Sequence, residues 1–289
     1  MPDSCPRLVD TAGRAMPEGD TVYLAARRLH TALGGRQIIA SDFRLPNLAT
    51  VDLSGVGFRE VRSYGKHLLF RLDNQRTVHT HFRMDGSWHL YRSSESWRGG
   101  PGHHVRVVLR TSDVVAVGYR LHDVALVPTE RESELIGHLG PDILAEEWPL
   151  ADVIQRLQTR PHVSIAAALT DQRIVAGIGN IYRCESLFLA GVDPWIPVGQ
   201  LPESLSRECF DVARTLLMRN REHSSQATTG DRARAHFVYG RAQRPCYRCQ
   251  TRIMAKRVDE TSSREVAFNR GAANQQTVTW CPTCQPAAN

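Results

Sequence analysis

The segment after residue 16 has the apolar spacing of an amphipathic helix. Apolar side chains recur three and four residues apart, at Val22, Ala25, Ala26, Leu29 and Leu33. Asp20 or Thr21 is expected to cap this helix, and the pair Gly34-Gly35 is expected to end it. One helix is therefore predicted just ahead of a change in pattern.

Between Arg36 and about Pro128 the apolar residues recur at every second position. Alternation of this kind is typical of half-buried strands. Short alternating runs separated by polar turns predict strands, among them residues 37–43, 67–72, 77–81, 105–110 and 114–119. This part of the chain is predicted to be a β-rich domain with one flanking helix.

From Trp148 onward the apolar residues return to helical spacing. Four helices are predicted, over residues 148–157 and 163–169, after the glycine-rich turn at 176–179, and over 205–216. Residues 221–234 are polar and are predicted to form a linker or loop. The segment from Pro245 has too few apolar residues to build a core unaided.

That last segment carries two cysteine pairs, Cys246-x2-Cys249 and Cys281-x2-Cys284. Four thiolates at these spacings can converge tetrahedrally on one Zn²⁺ ion. Residues 250–280 exceed the roughly 15–20 residues of a common arrangement, so the hairpin between the pairs is predicted to be long. One structural zinc would replace the missing core. Redox-active or unpaired cysteines are the alternative.

The turn Ala176-Gly177-Ile178-Gly179-Asn180 follows a predicted helix rather than a strand. It therefore does not fit a dinucleotide fingerprint, and no nucleotide cofactor is expected. Free backbone N–H groups where a helix begins bind phosphate well, and Asn180 adds a side-chain donor. Close packing of helices explains the glycines equally well.

Pro17 and Glu18 form a pair with possible covalent chemistry. If translation starts at Met16 and the methionine is removed, Pro17 has a free secondary amine. An α-amino group has a pKa of about 7.7–8.0, and a neighbouring helix N-terminus disfavours the ammonium form. A neutral amine attacks an aldehyde-like carbon to give an iminium ion, and Glu18 suits general acid–base work. A plain proline at a helix start is the alternative.

Composition and charge narrow the classes of function. The 289 residues are 42% hydrophobic, which excludes a fibrous or wholly disordered chain and allows two domains. The net charge is +6, and residues 214–257 hold eleven Lys/Arg against two acids, a local charge of +9. A nucleic-acid-binding face is favoured over a merely solvated one. We expect a cytoplasmic protein with reduced thiols and no membrane segment.

Four motifs occur in order and carry a resemblance: Met16-Pro17-Glu18-Gly19-Asp20, Ser63-Tyr64-Gly65-Lys66-His67-Leu68, residues 169–182 from Leu169-Thr170-Asp171-Gln172 to Asn180-Ile181-Tyr182, and Val238-Tyr239-Gly240-Arg241. With the cysteine pairs, the chain resembles the formamidopyrimidine-DNA glycosylase/endonuclease VIII family, and it is most similar to the actinobacterial endonuclease VIII branch. The resemblance extends from Met16 to about Gln285.

The resemblance implies an α+β multidomain fold. Residues 16–145 would form a catalytic β-sandwich with its flanking helix, 146–240 a helix–two-turns–helix DNA-binding domain, and 241–289 a zinc finger. Residues 1–15 would be a leader that is disordered or absent in the active form. The implied activity is that of a bifunctional DNA glycosylase and abasic-site lyase of base-excision repair. It would act as a nucleoid-associated monomer on damaged DNA, double- or single-stranded.

The resemblance also implies roles for individual residues. Pro17 would attack C1′ of the damaged nucleotide, Glu18 would protonate the sugar ring oxygen, and Lys66 would grip phosphate beside the lesion. The remaining implied DNA contacts are Gly179, Asn180 and Tyr239 at phosphate, and Met84 with Arg83 at the gap left by the extruded nucleotide. Strand cleavage would proceed by β,δ-elimination at the abasic sugar.

Three departures from the family pattern qualify these expectations. Gln276 stands where the family has an arginine on the zinc hairpin, and Arg264 or Arg270 could substitute. Residues 117–123 lack the arginine and phenylalanine that face the orphaned base in the formamidopyrimidine branch, which favours oxidised pyrimidines as substrates. A chain that keeps residues 1–16 has an amide nitrogen at Pro17. An inert DNA clamp is therefore one rival hypothesis, and a zinc-ribbon module with an unrelated β-domain is another.

Overall fold

The computed structural model of the protein describes residues 17–258 and 277–287. Within these residues the chain forms two compact units, and each is described by itself. The first unit comprises Pro17 and residues 21–138, and the second comprises Glu18–Asp20 with the described residues from 139 onward. The expected leader, Gln276 and its possible substitutes Arg264 and Arg270 lie outside the described residues.

The first unit is built from a helix, eight strands and a short final helix. In chain order these are α1 (Gly19–Leu33), β1 (Ala40–Phe43), β2 (Phe58–Tyr64), β3 (His67–Leu72), β4 (Arg76–His81), β5 (Ser87–Arg92), β6 (Val105–Arg110), β7 (Val114–Tyr119), β8 (Asp123–Pro128) and α2 (Ser133–Ile136). The first two residues of α1 belong to the second unit.

The eight strands form two antiparallel four-stranded sheets, in the orders β1-β6-β7-β5 and β2-β3-β4-β8. One buried apolar cluster receives side chains from both sheets, for example Phe70 from β3 and Leu109 from β6, so the sheets form a sandwich. The apolar face of α1 joins the same cluster through Val22, Leu29 and Leu33. The expected β-sandwich with a flanking helix is confirmed.

The strand bounds predicted from the alternation of apolar residues agree closely with several strands of the structure. β3, β6 and β7 have the predicted bounds, and β4 begins one residue earlier than predicted. β1 is shorter than predicted, because residues 37–39 make only an isolated bridge and loop contacts before the regular ladder with β6 begins. Three further strands, β2, β5 and β8, complete the sheets.

The second unit contains α3 (Leu150–Gln158), α4 (Ile165–Thr170), α5 (Asn180–Ala190), α6 (Glu203–Asn220), β9 (Met254–Arg257) and β10 (Thr277–Trp280). The two strands pair antiparallel, with Met254 opposite Trp280. Cys184 on α5 and Cys209 on α6 are buried free cysteines. No helix in the described part of the chain is long and apolar enough to cross a membrane.

Candidate active site

The centre of the site is the Glu18 carboxylate, which caps the N-terminus of α5. One carboxylate oxygen accepts hydrogen bonds from the backbone N–H groups of Gly179, at 2.8 Å, and Tyr182, at 3.4 Å. The other oxygen accepts one from the Ile181 N–H, at 2.7 Å. Glu18 is only 1% exposed. Since Gly179 brings no side-chain cap of its own, Glu18 satisfies these donors from a distant part of the sequence.

The glycines at 177 and 179 allow this approach of the two chain segments. A Cβ atom on Gly179 would lie 2.4 Å from Cδ of Glu18, which no ordinary contact permits. Gly177 has a φ of 112°, a conformation that favours glycine, and its carbonyl accepts the Gly19 N–H at 2.9 Å. The turn therefore has a structural role in holding Glu18, and the Gly179 N–H, which the sequence predicted to be free for a phosphate, is occupied by the Glu18 carboxylate.

Pro17 is buried and directly precedes Glu18, and α1 begins two residues after Pro17. The prediction that Asp20 or Thr21 caps α1 is wrong, because both residues lie inside the helix. The Asp20 carboxylate instead accepts hydrogen bonds from the Tyr182 hydroxyl and from Nε2 of Gln226, the latter at 2.9 Å. Burial and the negative charge of Asp20 raise the pKa of Tyr182 well above its usual value. The phenol therefore stays protonated and can donate.

Asn180, the first residue of α5, is held by a buried arginine. Its Oδ1 accepts hydrogen bonds from Nε of Arg183, at 3.1 Å, and from an η-nitrogen of the same guanidinium. Its Nδ2 donates to the Thr277 carbonyl at 3.0 Å. Arg183 is 2% exposed, and burial lowers its pKa. These contacts orient the amide with its oxygen toward Arg183 and its donor nitrogen away from it.

Tyr239 lies close enough to Glu18 to respond to its charge. Burial is the main cause that raises the pKa of Tyr239 to about 12, and the negative charge of the Glu18 carboxylate adds to it. The backbone there is fixed by Glu185, a fully buried carboxylate that accepts the N–H groups of Phe237, Val238 and Tyr239, each at 2.8 Å. Glu18, Asn180 and Tyr239 thus belong to one cluster of polar groups in the second unit.

The other expected DNA contacts belong to the first unit. Lys66 lies in the turn between β2 and β3, next to Gly65, whose φ is 55°. Arg83 and Met84 lie in the turn between β4 and β5. Arg83 itself has a positive φ of 50°, and its guanidinium is paired with the carboxylate of Asp123. Both turns place these side chains at one end of the β2-β3-β4-β8 sheet.

The four cysteines of the two pairs converge. All their sulfur atoms lie within 4.8 Å of one another, and individual Sγ–Sγ distances include 3.4 Å between Cys249 and Cys281 and 3.9 Å between Cys246 and Cys284. Tetrahedral zinc with Zn–S bonds of about 2.3 Å separates its sulfurs by about 3.8 Å. The donor set therefore fits a tetrahedral thiolate-bound ion. Among the described residues it is the one such cluster.

The basic segment at 214–257 is only partly a charged surface. Arg214 donates to two backbone carbonyl groups, Arg241 lies 3.4 Å from the ring centre of Tyr247, and Arg248 lies 4.4 Å from that of Phe188. These three guanidinium groups contribute to packing as well as to the positive charge of the segment. The exposed basic side chains of the segment are Arg219, Arg232, Arg234, Arg244, Arg248, Arg252, Lys256 and Arg257.

Comparison with known proteins identifies the family. The model of the formamidopyrimidine-DNA glycosylase N-terminal domain matches residues 16–124, and the model of the formamidopyrimidine-DNA glycosylase H2TH domain matches residues 139–229. A probable endonuclease 8 2 from Streptomyces coelicolor is 46% identical over 270 residues, which cover 93% of this chain and 94% of that protein. The chain belongs to the formamidopyrimidine-DNA glycosylase/endonuclease VIII family.

Other members of the family are similar over nearly their whole length. The Mycolicibacterium smegmatis protein named DNA-(apurinic or apyrimidinic site) lyase Nei2 is 36% identical over 94% of this chain and 100% of its own. The crystal structure of Lactococcus lactis Fpg with DNA containing an abasic site superposes with a TM-score of 0.76, at 22% identity over 94% of this chain and 100% of that one. The two chains share the fold.

Three charged residues that contact the candidate residues or their backbone were missed from the sequence. Arg183 and Glu185 are buried charged residues on a helix whose other residues are mostly apolar, and a charge at a buried position signals a fixed partner. Asp123 gave no comparable signal, because its partner Arg83 is 40 residues away in the sequence and becomes a neighbour only through the β4–β8 ladder.

Proposed function

We propose that the chain is a bifunctional DNA glycosylase and abasic-site lyase of base-excision repair, acting from an N-terminal Pro17. The observation that carries the proposal is the Glu18 carboxylate, held on three backbone N–H groups immediately after Pro17. A buried carboxylate fixed beside a secondary amine provides an acid–base group and a nucleophile at one place. The match of the family model from residue 16 supports Pro17 as the first residue of the active form.

In the proposed reaction the Pro17 nitrogen attacks C1′ of the damaged nucleotide while the bond from C1′ to the base breaks. Glu18 protonates the sugar ring oxygen, the ring opens, and an iminium ion joins the proline nitrogen to C1′. Loss of a proton from C2′ then expels the 3′ phosphate, and a second elimination expels the 5′ phosphate. Hydrolysis of the iminium releases the enzyme.

The DNA contacts are assigned by the same proposal. Lys66, Asn180 and Tyr239 bind phosphates near the lesion, and the Gly179 turn serves this contact by placing the Asn180 side-chain donor at the start of α5. Met84, with Arg83 beside it, fills the gap left by the extruded nucleotide and offsets lost stacking. Oxidised pyrimidines are the proposed lesions, because residues 117–123 lack the arginine and phenylalanine expected of the formamidopyrimidine branch.

Zinc is the proposed metal of the four-cysteine cluster. Cys246, Cys249, Cys281 and Cys284 would hold one ion, whose contribution is structural, since it stabilises a segment with too little apolar surface to fold alone. The division into a β-sandwich domain (16–145), a helix–two-turns–helix domain (146–240) and a zinc finger (241–289) is part of the same proposal.

A strand-cleavage assay tests the proposal. Protein that begins at Pro17 and the full 1–289 chain are compared on duplexes carrying an abasic site, an oxidised pyrimidine or 8-oxoguanine. We expect cleavage with phosphate on both ends of the gap, only from the form that begins at Pro17, and faster excision of the pyrimidine. Uncleaved DNA with intact binding from both forms would favour the inert clamp instead.

A further inference from the structure

The turn between β4 and β5 is closed tightly around Met84. The Gly86 N–H donates to the Phe82 carbonyl at 2.9 Å, and Phe82 is 3% exposed in the core. A Cβ on Gly86 would lie 2.6 Å from the same carbonyl oxygen. Arg83, with its φ of 50°, has a conformation that costs a non-glycine residue free energy. Such a turn persists only where surrounding contacts hold it.

The first of these contacts joins Arg83 to Asp123. Nε and Nη2 of the guanidinium donate to the two carboxylate oxygens at 2.6 and 2.7 Å, a bidentate pair. His81 Nδ1 lies 3.2 Å from the same carboxylate. In the antiparallel pairing of β4 with β8, His81 is directly opposite Asp123. Burial alone would raise the pKa of Asp123, but the hydrogen bonds from His81 and Arg83 lower it well below its usual range. The pair therefore stays charged at neutral pH.

The second contact lies on the other side of Met84. Oδ1 of Asp85 is 2.9 Å from Nε2 of His122. His122 is the last residue of the β7–β8 turn and Asp123 is the first residue of β8, so the two neighbours of Met84 are tied to consecutive residues where this partner turn meets its strand. Arg120, in that same partner turn, also has a positive φ of 50°.

We propose that Asp123 and His122 are positioning residues that brace the β4–β5 turn and hold Met84 ready to enter the gap in damaged DNA. The inference rests on the proposed function and extends it to two residues of the segment 117–123, which lacks the arginine and phenylalanine of the formamidopyrimidine branch. A turn fixed before binding spares the ordering cost that a mobile wedge would incur on insertion.

The test measures insertion without requiring catalysis. The full chain is titrated with a duplex that carries a tetrahydrofuran abasic analogue and a 2-aminopurine opposite it, whose fluorescence reports disturbance of stacking. Met84→Ala serves as the reference for lost insertion. The brace variants are Asp123→Asn and His122→Gln, and Glu134→Gln is the matched control, because Glu134 forms an equally bidentate pair with Arg131 away from the turn.

We expect Asp123→Asn to weaken binding of the abasic duplex about fivefold, the effect of losing one partly exposed ion pair, and to reduce the fluorescence change toward that of Met84→Ala. His122→Gln should act in the same direction. Affinity for a single-stranded oligonucleotide with the same analogue should change less than about twofold, since no gap needs filling there.

Three results would overturn the brace. The first is that the Asp123→Asn and His122→Gln variants bind the abasic duplex as tightly as Glu134→Gln does. The second is an equal loss of affinity for single- and double-stranded DNA, which would indicate general damage to the fold. A double variant Arg83→Gln/Asp123→Asn whose effects simply add would remove the coupling between the two residues. If the unaltered chain gives no response to the abasic duplex, the proposed function fails and the brace fails with it.

Discussion

Replacing Glu18 with glutamine tests the anchoring of the candidate acid. A glutamine has only one acceptor oxygen. If that oxygen accepts the Gly179 and Tyr182 N–H groups, the side-chain NH₂ group faces the Ile181 N–H. One buried donor then has no acceptor, at a cost of about 1–3 kcal/mol. Loss of the negative charge at the N-terminus of α5 removes about another 1 kcal/mol. The free energy of unfolding should fall by about 2–4 kcal/mol.

Two assays check this expectation on the same variant. Urea denaturation of the full chain measures the stability loss, with Glu134→Gln as the control, since its pair with Arg131 is exposed and its loss should change the free energy of unfolding little. In the form that begins at Pro17, base excision should fall about a hundredfold or more, because a general acid is lost. Strand cleavage at a ready-made abasic site should fall less. A Glu18→Gln variant with unchanged stability and unchanged excision would refute the reasoning.

Three further predictions concern the metal, a glycine and pH. Cys249→Ser should release zinc, measured by atomic absorption, and weaken DNA binding while the circular dichroism of the β-sandwich is kept; retained zinc would contradict the ligand set. Gly179→Ala should cost about 1–3 kcal/mol in urea denaturation, because its Cβ meets the Glu18 side chain, whereas Gly102→Ala, with nothing within 4 Å of its added Cβ, should cost little. Burial and the charge of nearby His81 lower the pKa of His79 to about 4, so the unfolded chain binds the extra proton below pH 6.5. The free energy of unfolding should therefore fall as pH drops from 6.5 to 4, by up to about 1.4 kcal/mol per pH unit, and the fall should be shallower in His79→Gln.

The sequence predicted those features that depend on local spacing. The stripe from Val22 to Leu33 and the bounds of β3 and β7 follow from which side chains must be buried, and the structure buries them. The cysteine pairs predicted the four-cysteine cluster because two thiols three residues apart need only a short turn to converge.

Features that depend on distant partners were not predictable in the same way. Aspartate is a common helix-capping residue, yet the partners of Asp20 are Tyr182 and Gln226, more than 160 residues away in the sequence. The pairing of Arg83 with Asp123 likewise requires the strand order β4-β8, which alternation of apolar residues does not specify. Local propensity gave way in both cases to a tertiary hydrogen bond that satisfies a buried or strained group.

Borohydride trapping on an abasic-site duplex tests the central claim, that Pro17 is the nucleophile. The sequence contains two lysines, Lys66 and Lys256, so few other amines compete. With protein that begins at Pro17, the reduced adduct should map by mass spectrometry to the N-terminal peptide, and the full 1–289 chain should give none at that position. An adduct on either lysine, or no adduct despite DNA binding, would contradict the account.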